Sequence, residues 1–276
     1  MAQERIEDAG IAVEFAGEVP PTLVFVHGFG CTRHDWTQQV ATLSARFRCV
    51  SFDLPGHGES APPASGDIEI LARAVCAVTA RYAHGPTILI GHSLGSRVIL
   101  EAMRLCPRGV VGLVLAEQNL VTGLNAERAA TAIEQRIDAL GFHSFISPLF
   151  DAMFVPTSSP GLRLSVWERL QRLDPELGKL MLLSSVLWEA RAPAQLAALR
   201  VPVLLLQSTY LDEQMTWHSL RHGMSTPWIE LVTRLVADTR VHIIEGVGHF
   251  SPIEAAQTVS SHILDFAHSL AGAAER

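Results

Sequence analysis

The sequence predicts an α/β fold: a mostly parallel central sheet with helices on both faces and a helical lid inserted near the middle. Three observations carry that expectation. Continuous apolar runs recur along the chain, as strands buried on both faces require. Helix-length segments separate most of them, an alternation that belongs to parallel sheets. One interval of more than 80 residues breaks the rhythm and reads as wholly helical.

In chain order, RIEDAGIAVEFA at 5–16 reads as two short strands about an Asp8-Ala9-Gly10 turn. TLVFV at 22–26 is the first buried run, and others follow at 48–54, 87–91, 112–116, 201–207 and 240–245. Helices are expected at 35–45, 68–83, 94–105 and 227–237. Within the long interval, Asn125 stands at the N-cap of a helix reaching Leu140, closed by Gly141. Ser159-Pro160 and Asp174-Pro175 each put a capping residue before proline at a first helical position. The apolar residues here are bulky, among them Phe142, Phe145, Phe150 and Trp188, which suits a lid over a site. Ser251-Pro252-Ile253-Glu254 reads as a capping box opening the final helix. The expected organisation is a core of 1–119 and 200–276 with a helical cap at 120–199.

Composition bounds the function. Of 276 residues, 48% are hydrophobic and 18% charged, enough apolar content for a sizeable core and too much for disorder. The net charge is -7 with no basic stripe, which counts against nucleic acid and anionic membranes and mildly against strongly anionic substrates. No apolar run reaches membrane-spanning length, and MAQERIEDAG carries no apolar leader stretch. The four cysteines, Cys31, Cys49, Cys76 and Cys106, lack CxxC spacing and read as reduced thiols, with neither disulfide nor zinc site expected. The expected setting is cytoplasmic and the expected partner a small-molecule substrate, with no cofactor, no metal, no nucleic acid and no membrane; a homodimer stays open.

The chemistry centres on Gly91-His92-Ser93-Leu94-Gly95, which follows an apolar run and precedes a helical stretch. That is the setting of a nucleophile elbow, a strained turn whose flanks need glycine and whose serine is exposed beside a helix N-terminus. A serine hydroxyl needs a base to take its proton as it attacks. Of 12 histidines, His249 in GVGHF lies on a glycine-flexed loop after the last expected strand. Loops from strand carboxyl ends converge at one edge of a parallel sheet, where Ser93 and His249 would meet. His27, His57 and His92 read instead as residues that orient loops. The amides of Leu94 and of Phe29, in HGFG, are the expected oxyanion donors.

HGFG, DLPGHGES, GHSLGS and GVGHF, in this order, resemble the α/β-hydrolase fold family in its lidded branch of esterases, lactonases, thioesterases and carbon–carbon bond hydrolases. The resemblance covers nearly the whole chain. It implies Ser93 as nucleophile, His249 as base and Phe29 and Leu94 as oxyanion donors, and it makes DLPGHGES a structural turn. The acid has two candidates. Asp212 follows the 201–207 run, where the family's commoner acid lies, but Ser208 replaces the usual glycine and Asp212 arrives about one residue late. Glu117 ends the 112–116 run, where some relatives draw their acid; a carboxylate at a buried strand end is costly without a partner, which favours Glu117. The expected activity is hydrolysis of a small, largely apolar ester or related acyl compound through an acyl-enzyme. The alternatives are carbon–carbon bond hydrolysis, disfavoured by His92 where such relatives often carry Asn, and a ligand receptor with slow or no turnover. A dinucleotide enzyme is disfavoured because no GxGxxG opens a helix.

Overall fold

The computed structural model describes residues 2–6, 10–120, 125–212 and 216–274. The expected turn at Asp8-Ala9 and positions 121–124 of the expected cap lie outside them. The chain opens with β1 (Ala2–Ile6) and β2 (Ile11–Ala16), then β3 (Thr22–Val26), α1 (Thr37–Leu43), β4 (Arg48–Phe52), α2 (Ile68–Tyr82), β5 (Thr87–His92), α3 (Leu94–Leu105) and β6 (Val110–Ala116). Among the described residues five α-helices follow with no strand between them: α4 (Ala126–Leu140), α5 (Phe142–Asp151), α6 (Pro160–Arg172), α7 (Pro175–Trp188) and α8 (Ala192–Ala198). The chain returns through β7 (Val203–Gln207), a small hairpin of β8 (Thr209–Leu211) and β9 (Trp217–Ser219), α9 (Pro227–Leu235), β10 (Thr239–Ile243), α10 (Ser251–Glu254) and α11 (Ala256–Ala274).

The eight-stranded sheet has the order β1-β2-β4-β3-β5-β6-β7-β10. β1 and β2 pair antiparallel, as does β2 with β4; every later pair is parallel. The expected fold class is therefore the observed one. Its apolar runs work as read, because a strand buried on both faces sends alternate residues into two cores. Val24, Val26, Leu89, Leu113 and Leu205 pack with α2, α3 and α9 through Val75, Val98 and Val232. Leu23, Phe25, Ile88, Val114 and Leu204 pack on the other face with α1 and α11 through Leu43, Ile263 and Phe266. A third cluster joins Phe142, Phe145, Phe150 and Leu170 of the inserted helices to Cys31 and Phe250 of the sheet's loops.

Local chemistry explains several boundaries. Ser159 and Asp174 cap α6 and α7 as their prolines imply, accepting from the amides of Leu162 at 3.1 Å and Leu177 at 2.8 Å. The final helix departs from expectation. Phe250, not Ser251, occupies the N-cap, and the helix breaks at Ala255 into α10 and α11. Glu254 does not close a capping box; it accepts from the Gly248 amide at 2.9 Å and from the Ser158 hydroxyl.

The cysteine expectation is corrected. Cys76 and Cys106 form a disulfide, with Cα atoms 6.0 Å apart. Helices α2 and α3 pack side by side and bring together two residues 30 positions apart, which no short-spacing rule detects. Cys31 and Cys49 are free and buried. Disulfides persist in oxidising surroundings, so the cytoplasmic expectation loses the support it drew from reduced thiols. Among the described residues no helix is long and apolar enough to cross a membrane. Closing a loop of this length by a cross-link is worth about 3 to 4 kcal/mol in the chain-entropy account. Urea unfolding of Cys76→Ser should therefore show a lower midpoint than the oxidised protein, and a reductant should shift only the latter.

Candidate active site

The loops after β3, β5, β6, β7 and β10 all leave the carboxyl edge of the sheet, and they border a cavity of about 800 Å³ roofed by the inserted helices. Gly28, Phe29, Ser93, Leu94, Glu117 and His249 all line it.

Ser93 sits at φ 51°, ψ -116°, between the end of β5 and the first residue of α3. The glycines on either side are there for space. A Cβ on Gly91 would lie 2.5 Å from the Gly95 carbonyl group, and one on Gly95 would lie 2.3 Å from the Val26 carbonyl oxygen. The Ser93 amide donates to the Ala116 carbonyl at 2.8 Å, tying the turn to β6. A Cβ on Gly28 would approach that of Ser93 to 3.3 Å, so HGFG lies against the serine. The amides of Phe29 and Leu94 donate to no group among the described residues. Such amides, that of Leu94 at the N-terminus of α3, are suited to developing negative charge.

His249 is buried, its ring 4.7 Å from that of Trp217 and 5.2 Å from that of His92. Its amide donates to the Met153 carbonyl at 2.9 Å, and its carbonyl accepts from His92 Nε2 at 2.8 Å. His92, beside the serine, thus holds the loop that carries His249. Nε2 of His249 has no hydrogen-bond partner among the described residues, and no hydrogen bond joins it to Ser93. Nδ1 lies 3.5 Å from the Thr209 hydroxyl. Burial, and the nearby His92 ring, push the His249 imidazole well below its ordinary range.

The two acid candidates occupy different surroundings. Glu117 is buried at the end of β6 with φ 54°, and its carboxylate is ringed by donors. Oε2 accepts from the amides of Ser208 at 3.1 Å and Thr209 at 3.3 Å and from the Thr209 hydroxyl at 3.3 Å; Oε1 accepts from the Ser251 hydroxyl at 2.6 Å. Burial nevertheless pushes the carboxyl up to about 7, the hydrogen bonds pulling the other way. Asp212 lies at the end of the β8–β9 hairpin's first strand. Its carboxylate takes a 2.6 Å hydrogen bond from His218 and a 2.8 Å one from the Thr216 amide. It does not line the cavity. Neither carboxylate makes an ion pair with His249 among the described residues.

The histidines expected to orient loops are engaged in loop contacts. His27 accepts from the Leu54 amide at 2.9 Å, and burial lowers it to about 3. His57 sits edge-on to Phe29 at 6.1 Å. Asp53 of DLPGHGES accepts from the amides of Arg33 and Glu59 and pairs with the Arg33 guanidinium. Sequence reasoning overlooked Thr209 and the links made by His92 and Ser251. Ser251 carried a signal, but its place before proline read as a cap, whereas its hydroxyl turns to Glu117.

A family profile described as "Alpha/beta hydrolase family" matches residues 23–261. This chain belongs to the alpha/beta hydrolase family. Over 106 residues this family member is 40% identical to a pimeloyl-[acyl-carrier protein] methyl ester esterase of Methylococcus capsulatus, covering 38% of the chain and 40% of that relative. It is 34% identical over 135 residues to a 2-succinyl-6-hydroxy-2,4-cyclohexadiene-1-carboxylate synthase of Escherichia coli, covering 49% of the chain and 52% of that relative. The matches therefore span about half or less of the curated relatives' lengths. Among solved structures, the fold of this hydrolase-family chain is similar to that of a hydrolase from Pseudomonas aeruginosa PA01, with a TM-score of 0.75 at 22% identity over 96% of this chain and 97% of that one.

Proposed function

We propose that the chain is a serine hydrolase that cleaves a small, largely apolar ester or related acyl substrate through an acyl-enzyme. The observation that carries this reading is one cavity bordered by Ser93, His249 and the unengaged amides of Phe29 and Leu94. A relative named as a methyl ester esterase supports an ester as the substrate. His249, held neutral by burial, takes the Ser93 proton as the oxygen attacks the carbonyl. The amides of Phe29 and Leu94 receive the oxyanion, each donor being worth about 3 kcal/mol of barrier. The imidazolium protonates the leaving group; water then attacks the acyl-enzyme with the same base, and Ser93 is regenerated. The inserted helices, taken as a cap over 120–199, supply Phe145, Phe150 and Leu149 to the cavity wall and favour an apolar acyl chain.

In this reading Glu117 is the acid, and Asp212 holds the hairpin through His218. Glu117 reaches the base through Thr209. His249 Nδ1–H donates to the Thr209 hydroxyl, which donates in turn to Glu117 Oε2. Thr209 is thus a positioning residue. Thr209→Val should lower kcat by roughly tenfold to a hundredfold with little change in KM, about the worth of one hydrogen bond to a charged group. Thr209→Ser should restore most of the loss. Equal rates for the valine and serine variants would remove Thr209 from the relay.

The reading as a whole is tested by labelling with a fluorophosphonate, mapping the modified peptide, and assaying ester, thioester and lactone substrates for burst kinetics. Modification at Ser93 with steady ester turnover is expected. A label on another serine, or a burst with no turnover, would favour the receptor reading instead.

A further inference from the structure

Helix α4 sorts its charges. Two of its three acidic residues, Glu134 and Asp138, face α7, where Lys179 pairs with them at 3.4 Å and 2.6 Å, and the third, Glu127, stands exposed in the first turn. The stripe that lines the cavity, at i, i+3 and i+4 spacing, is Asn125, Arg128, Ala129, Ala132, Ile133 and Arg136. Arg128 and Arg136 are both exposed, which puts them at the cavity's rim, two turns apart on one face. Neither makes an ion pair or side-chain hydrogen bond among the described residues. Arg136 lies over the ring of Phe145, 5.4 Å from its centre, so its guanidinium is held against a cavity wall.

The other charges of the cavity are accounted for. Arg97, deeper in, is committed to Glu189 at 2.7 Å, the Asn119 carbonyl at 3.0 Å and the Ser185 carbonyl. Glu117 is enclosed by its four donors. What remains, among the described residues, is two cations without an ion pair at the entrance of a largely apolar cavity, in a chain of net charge -7. Arginine's planar fork matches the paired oxygens of carboxylates and phosphates.

We propose that Arg128 and Arg136 form a subsite for an anionic tail, so that the preferred substrate is an ester whose apolar chain ends, away from the scissile bond, in a carboxylate or phosphate. The proposal rests on the hydrolase reading above and narrows its substrate class. The apolar wall takes the chain, the serine meets the ester, and the charged end stays at the wet rim, where it loses little hydration.

The test compares 4-nitrophenyl esters of equal chain length ending in methyl, carboxylate or phosphate. The wild-type protein is expected to favour an anionic tail by about tenfold or more in kcat/KM at low salt, and the two anionic arms report which oxyanion fits. Arg128→Gln and Arg136→Gln should each reduce the anionic-to-neutral ratio by up to about fivefold, the range for exposed ion pairs, and 1 M salt should do the same to the wild type. A ratio unmoved in the double variant, or a neutral ester preferred by the wild type, would overturn the subsite. If no ester is turned over, the hydrolase reading fails, and calorimetry with Ser93→Ala decides the subsite alone. Monomethyl suberate binding more tightly than methyl octanoate, with the difference lost in Arg128→Gln/Arg136→Gln, upholds it; equal binding rejects it.

Discussion

Ser93→Ala should abolish ester hydrolysis in a chain that still folds, with kcat lower by something on the order of 10⁶. The size follows from the serine's position. It is the group that would bond to the acyl carbon, and the base and oxyanion donors act only on that bond. The fold should survive because the Ser93 hydroxyl makes no hydrogen bond among the described residues, so its removal strands no buried partner. Alanine meets the same backbone strain at φ 51° that serine does. Circular dichroism and the thermal midpoint should therefore match the wild type while the fluorophosphonate label disappears. Turnover persisting at more than a thousandth of the wild-type rate would remove Ser93 from the chemistry.

The second large effect separates the two carboxylates. Glu117→Gln should lower kcat by about 10⁴, the loss seen when a triad acid no longer holds its imidazole and stabilises the imidazolium. Asp212→Asn should change it less than tenfold, because that carboxylate serves His218. The pH profile adds an independent reading. In the wild type the carboxyl of Glu117 takes up a proton as the pH falls through about 7, and the proposed relay would then lose its negative end. The kcat/KM should fall below that pH. In Glu117→Gln that limb should move to lower pH, where only the buried, weakly basic His249 remains to be protonated. A larger loss in Asp212→Asn, or an unmoved limb in Glu117→Gln, would transfer the role of acid to the hairpin.

Much of the fold was legible because its signals are local or repetitive. Buried strands such as TLVFV announce themselves as apolar runs, and Asp174-Pro175 marks a helix start within two residues. The turn at Ser93 was legible for the same reason: the need for glycine at 91 and 95 arises from contacts a few residues away. The surroundings of Glu117 were not. Which carboxylate approaches His249 depends on how the ends of β6 and β7 align, and the donors around Glu117 come from Ser208, Thr209 and Ser251, far apart in sequence. The Cys76–Cys106 bond depends on how α2 and α3 lie together, which spacing does not encode. The arginines of α4 are visible in the sequence, but the phase that turns them to the cavity and their acidic neighbours to Lys179 is set only by packing.

An acid at the end of β6, as proposed, has a consequence for how such a protein can change. In that reading the β8–β9 hairpin supplies only Thr209, at its base, to the relay. Leu211 and Trp217, farther along it, form part of the cavity wall. Changes at Leu211 would then enlarge or close that wall for new acyl groups while Glu117, on a different strand, keeps its place; Trp217, 4.7 Å from the His249 ring, is less free to change.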